Sequence, residues 1–319
     1  MILDKIRNEY DVLPSRNESI AKWKEEGKKV FGYMCTNIPE ELVYAAGILP
    51  VRLTGKPVDI VEANKHHAIY MCNYARSVLE LGLMNEYKCL DGIVNAYGCE
   101  GSCNIFQVLG LAVPFDFFEF LHIPHNARTN LAQSFYLKEL RVFKKNLEKY
   151  ISHEITNDDI FNAIDVYNEN RRLLKELYDL RGLGDHPLIS GREVGEVLYW
   201  VMSTPKDKAN ETLKSLISEL KDRDKKYEFS GPRIHISGSM IPDLEIYEQI
   251  EDLGGMVVSD DLCLGSRYFW DEASRTYNPL YGLARHRLEC IPCSCMSVSY
   301  THLRAHETSL HLVCRLLLE

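Results

Sequence analysis

The sequence lacks any stretch close to the roughly 20 consecutive apolar residues that a membrane-spanning helix needs. Its most apolar run, Val108 to Ile123, is broken by Pro114, Asp116 and Glu119. An apolar signal-peptide core is missing as well: Asp4, Lys5, Arg7 and Asn8 stand near the start. Positive charge is in short supply. Lys and Arg number 37 against 46 Asp and Glu, a net charge of −9, which argues against a broad nucleic-acid surface. Low-complexity tracts and repeat arrays are absent. A cytoplasmic protein that binds neither nucleic acid nor membrane is the expectation. With 45% hydrophobic and 26% charged residues among 319, the chain is too apolar for disorder and long enough for two domains.

Cysteine, by contrast, is plentiful. There are ten, at positions 35, 72, 89, 99, 103, 263, 290, 293, 295 and 314. A cytoplasmic chain has little use for disulfides, which leaves metal ligation, catalysis or buried filler.

Their positions follow a repeating strand–helix theme. Residues 1–28 read as helix. Lys29 to Met34 reads as a strand, Cys35 to Asn37 as a turn, and Pro39 starts a helix that Gly47 stops, with Leu49 to Leu53 the next strand. Asp91 to Ala96 is a second such strand, Ser102 to Leu109 its helix and Phe115 to Ile123 the strand after it. The third copy runs through strand Arg233 to Ile236, helix Asp243 to Leu253 and strand Met256 to Ser259. Strands alternating with helices imply α/β lobes with mainly parallel sheets. Residues 127–228 read as helix almost throughout. The expected division is an N-terminal lobe over 1–126, a helical connection over 127–230 and a second lobe over 231–296.

Cys35, Cys99 and Cys263 each fall just past a strand. Ligands of open α/β sheets bind outside the carboxyl ends of strands, so three such thiols can converge. Cys72 opens a helix, Cys72 to Leu83, whose N-terminal N–H groups favour a thiolate. Soft thiolates there suit an iron–sulfur cluster or zinc. The plainer reading, small buried hydrophobes, is preferred for Cys89. Glu40 and Glu41 invite an acid–base role, although acids in a first helical turn also serve the helix dipole. Thr36 and Asn37 read as helix caps or substrate contacts, and Ser237-Gly238-Ser239 as an anion-binding turn ahead of a helix. Asp260 and Asp261 are expected to orient the loop of Cys263. Arg267 and Tyr268 belong beside the site or in the core, and Trp270 in the core.

The chain resembles subunits of the 2-hydroxyacyl-CoA dehydratase family (D-component type), which includes benzoyl-CoA reductase subunits and double-cubane cluster proteins. The matching stretches are Val30-Phe31-Gly32-Tyr33-Met34-Cys35, Ile38-Pro39-Glu40-Glu41-Leu42, Leu90-Asp91-Gly92-Ile93-Val94 leading to Cys99-Glu100-Gly101, Asn168 to Leu174, Ile189-Ser190-Gly191 and Asp260-Asp261-Leu262-Cys263-Leu264-Gly265. The resemblance implies a 4Fe-4S cluster on Cys72, Cys99 and Cys263, with Cys103, one helical turn beyond Cys99, as the substitute for Cys99. It implies one iron left open, an acyl-CoA substrate, a second homologous subunit in a heterodimer and an ATP-dependent activator protein. The implied reaction is loss of water from a (R)-2-hydroxyacyl-CoA through a ketyl radical. A benzoyl-CoA reductase-like or double-cubane reductase subunit is the related alternative. A non-catalytic electron-relay or structural partner subunit is the alternative of another class.

Residues 297–319 resemble translated adapter sequence, so His302, His306 and His311 are expected to be a decoy metal site and the second lobe to be incomplete. Cys290, Cys293 and Cys295 have metal-like spacing but match a family segment outside the usual cluster ligands.

Overall fold

Short apolar strands and amphipathic helices build two parallel sheets wrapped in helices. The computed structural model describes residues 1–67, 71–124, 126–127, 129–182, 186–223, 227 and 231–290. The readings placed on residues 291–319 lie outside the described residues. In chain order the elements are α1 (Ile2–Glu9), α2 (Glu18–Glu25), β1 (Val30–Tyr33), α3 (Glu40–Ala45), β2 (Leu49–Arg52), α4 (Ala63–His66), α5 (Asn73–Leu83), β3 (Gly92–Ala96), α6 (Glu100–Ala112) and β4 (Phe117–Leu121). There follow α7 (Asn130–Ile151), α8 (Asn157–Gly182), α9 (Gly191–Val201), α10 (Lys206–Lys221), β5 (Arg233–Ser237), α11 (Glu245–Asp252), β6 (Met256–Asp261) and α12 (Pro279–Glu289). Among the described residues no helix is long and apolar enough to cross a membrane.

The first sheet has the order β2-β1-β3-β4 and the second pairs β5 with β6; every pairing is parallel. The α/β class with parallel sheets is therefore as the alternation implied. The strands of the first sheet are covered on both faces, as parallel strands must be. Phe31, Tyr33, Val94 and Phe117 point into one core with α7 and α12, through Tyr136, Leu140, Phe143 and Leu283. Val30, Leu49, Val51 and Ile93 point into the other with α5 and α6, through Val78, Leu79, Ile105 and Phe106. This period of two puts Arg52, the register partner of Tyr33, on the face opposite Val51. A third core joins α1, α8, α9 and α10 with the segment after β6, through Leu3, Leu177, Val197, Leu213 and Phe269.

The helix starts carry their expected chemistry. Ser190 and Glu193 form a reciprocal capping box on α9, Thr129 accepts from the Ala132 N–H of α7, and Asn278 caps α12 with Pro279 in its first turn. Residues 1–28 depart from a single helix: α1 and α2 are separated by a 3-10 turn at Pro14–Arg16, because Pro14 cannot continue the hydrogen-bond ladder. Strand β6 runs on through Asp260 and Asp261, which stay paired with Ile236 and Ser237.

Candidate metal centre

The order β2-β1-β3-β4 reverses between β1 and β3. Loops leaving those two strands diverge there, and the crevice outside their carboxyl ends is where open α/β sheets bind ligands. Cys35 leaves β1 and Cys99 leaves β3. The two loops touch: a Cβ on Gly98 would lie 2.5 Å from Cys35 Sγ. Cys99 is the N-cap of α6; its sulfur accepts from the Ser102 N–H, and the Ser102 hydroxyl answers at the Cys99 N–H, 3.4 Å away. Cys72 is the N-cap of α5. A Cβ on Gly101 would lie 3.9 Å from both Cys72 Sγ and Cys99 Sγ, so no more than twice that distance separates the two sulfurs. Glycine at 101 leaves that space to the sulfurs and to the Met71 methyl, which would stand 3.2 Å from the added carbon.

Cys263 arrives from the second sheet. Its N–H donates to the Ser239 carbonyl at 3.0 Å. Arg267 grips Asp261 in a two-toothed ion pair at 2.6 and 2.8 Å, donates to the Gly238 carbonyl at 2.9 Å and reaches Cys263 Sγ at 3.7 Å. Asp260 pairs with Arg181 at 2.9 Å, with both side chains buried, and accepts from the Ser266 N–H at 2.8 Å. The orienting role expected of the two aspartates is thus realised: they fix both sides of the Cys263 turn.

Cys35, Cys72, Cys99 and Cys263 line one cavity of about 360 Å³, closed by Met34, Tyr74, Met240 and Pro242 and bordered by Thr36, Ser239 and Arg52. Cys72 is exposed at the rim and Cys263 is buried. Among the described residues no three His, Cys, Asp or Glu side chains close on one point tightly enough for a single ion. A zinc ion would need its sulfurs about 2.3 Å away; sulfurs spread around a cavity of this size suit a polynuclear group. Two helix N-termini, those of α5 and α6, meet the same space and favour negative charge in it. Burial pushes the Cys35 thiol up, partly offset by Arg52 and the Asn37 N–H. The donor set therefore fits an iron–sulfur cluster.

Other expected residues fall elsewhere. Cys103 is half-buried one turn along α6 and is not among the residues lining the cavity. Cys89 packs partly buried under the first sheet, its thiol raised by burial to about 11, as preferred for a filler. Cys290 lines a small enclosed space behind Cys263 with Arg267, His286 and Arg287; Cys293 and Cys295 lie outside the described residues.

Glu40 and Glu41 are buried and outside the cavity lining. Burial opposes ionisation of Glu41, but Arg287 and Arg171 outweigh it and hold the carboxyl well below the usual range. Arg287 donates to it at 2.8 Å and Arg171 from the other side. Glu40 accepts from the Tyr268 hydroxyl at 3.0 Å with Lys206 Nζ 4.0 Å away. A base clamped by two guanidinium groups cannot take a proton near neutrality, so the geometry gives Glu41 a bracing role; Glu40 lies outside the cavity lining, held by Tyr268 and close to Lys206.

Three smaller expectations are corrected. Thr36 and Asn37 do not cap α3, whose N-cap is Pro39; Thr36 borders the cavity instead. The Ser237–Ser239 turn is not at a helix start, since α11 begins only at Glu245. Trp270 is 48% exposed, with Lys175 Nζ over its ring at 5.7 Å, because the chain turns outward after the buried Phe269. Cys35 lines the cavity as its place after a strand implied, whereas Arg52 and Met240 went unread. A charge ending an otherwise apolar buried strand was the available signal for Arg52.

Comparison with known proteins agrees with the residue-level resemblance. Residues 35–313 match the family described as 2-hydroxyglutaryl-CoA dehydratase, D-component. A benzoyl-CoA reductase subunit of Thauera aromatica is 28% identical over 82% of this chain and 69% of its own length. The (R)-2-hydroxyglutaryl-CoA dehydratase beta subunit of Acidaminococcus fermentans is 31% identical over 81% and 68%. The (R)-phenyllactyl-CoA dehydratase beta subunit of Clostridium sporogenes is 25% identical over 88% and 75%. With its thiol-lined crevice at the strand ends and a family match over most of its length, the chain belongs to the 2-hydroxyglutaryl-CoA dehydratase D-component family.

Proposed function

We propose that this chain is the iron–sulfur subunit of a 2-hydroxyacyl-CoA dehydratase complex, a lyase, and holds a 4Fe-4S cluster on Cys72, Cys99 and Cys263. The convergence of these three sulfurs, from segments far apart in sequence, on one cavity carries the reading. When bound, the cluster supplies low-potential one-electron chemistry, by which such an enzyme takes a (R)-2-hydroxyacyl-CoA through a ketyl radical anion to enoyl-CoA and water. The protein's own part is placement and exclusion of water. Ser102 N–H and Arg267 fix two of the sulfurs. Met34, Met240 and Pro242 give the cavity apolar walls that keep solvent from a reactive radical. Thr36 and Ser239 offer hydroxyls at its border for a polar substrate group.

Cys72 at the rim supports electron entry from outside, as an ATP-dependent activator protein would deliver it. Relatives named as beta subunits support a second, homologous subunit as partner. A reductase-type reaction is the competing reading, favoured by the similarity to a benzoyl-CoA reductase subunit. An electron-relay role is favoured by Cys35, whose thiol lines the same cavity and is available to a fourth iron.

Anaerobic purification with iron and sulfide analysis tests the core claim. About four of each per chain are expected. Cys72→Ala, Cys99→Ala and Cys263→Ala should each lose most of the iron, while Cys103→Ala and Cys89→Ala keep it. Zinc in place of iron, or iron lost with Cys103→Ala and retained with Cys99→Ala, refutes the assignment. Paramagnetic resonance with and without acyl-CoA thioesters then separates the two catalytic readings from the relay role, since only an open iron responds to substrate, and activity screening with acyl-CoA thioesters separates dehydratase from reductase.

A further inference from the structure

Arg52 is the least explained buried charge among the described residues. It ends β2, is 4% exposed and reaches into the thiol-lined cavity. Its Nε and Nη1 atoms are buried without a hydrogen-bond partner. Its Nη2 has only the Met240 sulfur, 3.8 Å away. Among the described residues it forms no ion pair. The titratable groups whose charges it feels are two phenols, Tyr33 and Tyr74, and two thiols, Cys35 and Cys263. Neither phenol serves as a counter-ion. The Tyr33 ring lies against the guanidinium at 5.3 Å, and the Tyr74 hydroxyl already donates to the Leu53 and Met34 carbonyls at 2.8 and 3.2 Å.

A buried guanidinium with two idle nitrogens is costly unless an anion meets it. The other buried arginines here are matched: Arg171 and Arg287 by Glu41, Arg181 by Asp260, Arg267 by Asp261. Arg267 also touches the Cys263 sulfur but is already answered by Asp261; of these five only Arg52 lines the thiol-bearing cavity. We propose that Arg52 is the fixed counter-cation of the cavity, placed so that its charge is answered only when an anionic group is held by the cysteines, and that it thereby sets how readily that group accepts an electron. It is a positioning and tuning residue rather than one that transfers a proton, since guanidinium stays charged throughout. The tuning half rests on the cluster reading above; the charge-compensation half does not.

The test uses the full chain in iron-free and iron-loaded forms, with Arg52→Met to remove the charge and Arg52→Lys to keep it. In the iron-free form Arg52→Met should raise the melting temperature, because an unanswered buried charge is replaced by a side chain that packs. In the loaded form the same substitution should lower it and shift the cluster's midpoint potential to more negative values, with Arg52→Lys falling between. A change of the same sign in both forms, or a potential unmoved by Arg52→Met, overturns the proposal. If wild-type protein binds no iron at all, the cluster reading fails by itself, and the sign of the iron-free shift alone judges Arg52: a fall refutes it.

Discussion

At the scale of single residues, the buried charges decide more than the exposed ones. Glu41 is held between Arg171 and Arg287, which come from α8 and α12, so one carboxylate ties three helices together. Its folded pKa is depressed. The pairing therefore stabilises fully above the ordinary glutamate value of about 4.3 and is lost as pH falls below it. Glu41→Gln should cost about 3–5 kcal/mol, because two buried guanidinium groups lose their counter-charge. It should also flatten the decline in stability below about pH 5, which urea unfolding across that range would read. A variant as acid-sensitive as wild type would show that other carboxylates govern the acid limb. None of this was legible in the sequence. Glu40 and Glu41 look like ordinary first-turn acids because Arg171, Arg287 and Tyr268 lie more than a hundred positions away. Arg52 hid for a different reason: a charge ending a buried apolar strand marks it, but the atoms that make it unusual are those left without a partner.

At the scale of elements, the strand ends were the readable part. A loop after a parallel strand points at the functional edge of its sheet, and Cys35, Cys99 and Cys263 advertise themselves by that position alone. Boundaries were less readable. Strand β6 continues through two aspartates that composition would place in a loop, because Arg181 and Arg267 neutralise them there. That pairing makes a testable claim about the Cys263 turn. In Asp260→Asn, Arg181 loses its charge partner while Ser266 N–H keeps an acceptor. A loss of about 3 kcal/mol in stability is expected, together with a lower iron content per folded chain as the turn loosens. Thermal unfolding and iron analysis on the same preparation check both. Full iron occupancy in a clearly destabilised variant would separate the aspartate from the site.

At the scale of the whole molecule, the proposed cluster and the two sheets support one another unequally. The first sheet is sealed on both faces by large apolar cores, so it is expected to hold its shape without a cofactor. The β5–β6 pair is different. Arg233, His235 and Ser237 of β5 are exposed, and its own core is small, built on Tyr247, Val257 and Leu262 with a few partly buried neighbours. Two strands are marginal by themselves, so this unit leans on α8, α9 and whatever binds Cys263. A group gripped by Cys72 and Cys99 on one side and Cys263 on the other contributes its binding free energy to docking of the second sheet. Removal of iron should therefore act locally. Amide hydrogen exchange in β5 and β6 should accelerate at least tenfold on chelation, a change of about 1.4 kcal/mol or more in local opening, while β1 and β3 stay protected. Equal acceleration across both sheets would mean that the cofactor is needed for the fold as a whole. Acceleration in neither would place it where it bridges nothing, and the convergence of thiols from the two sheets would lose its structural meaning.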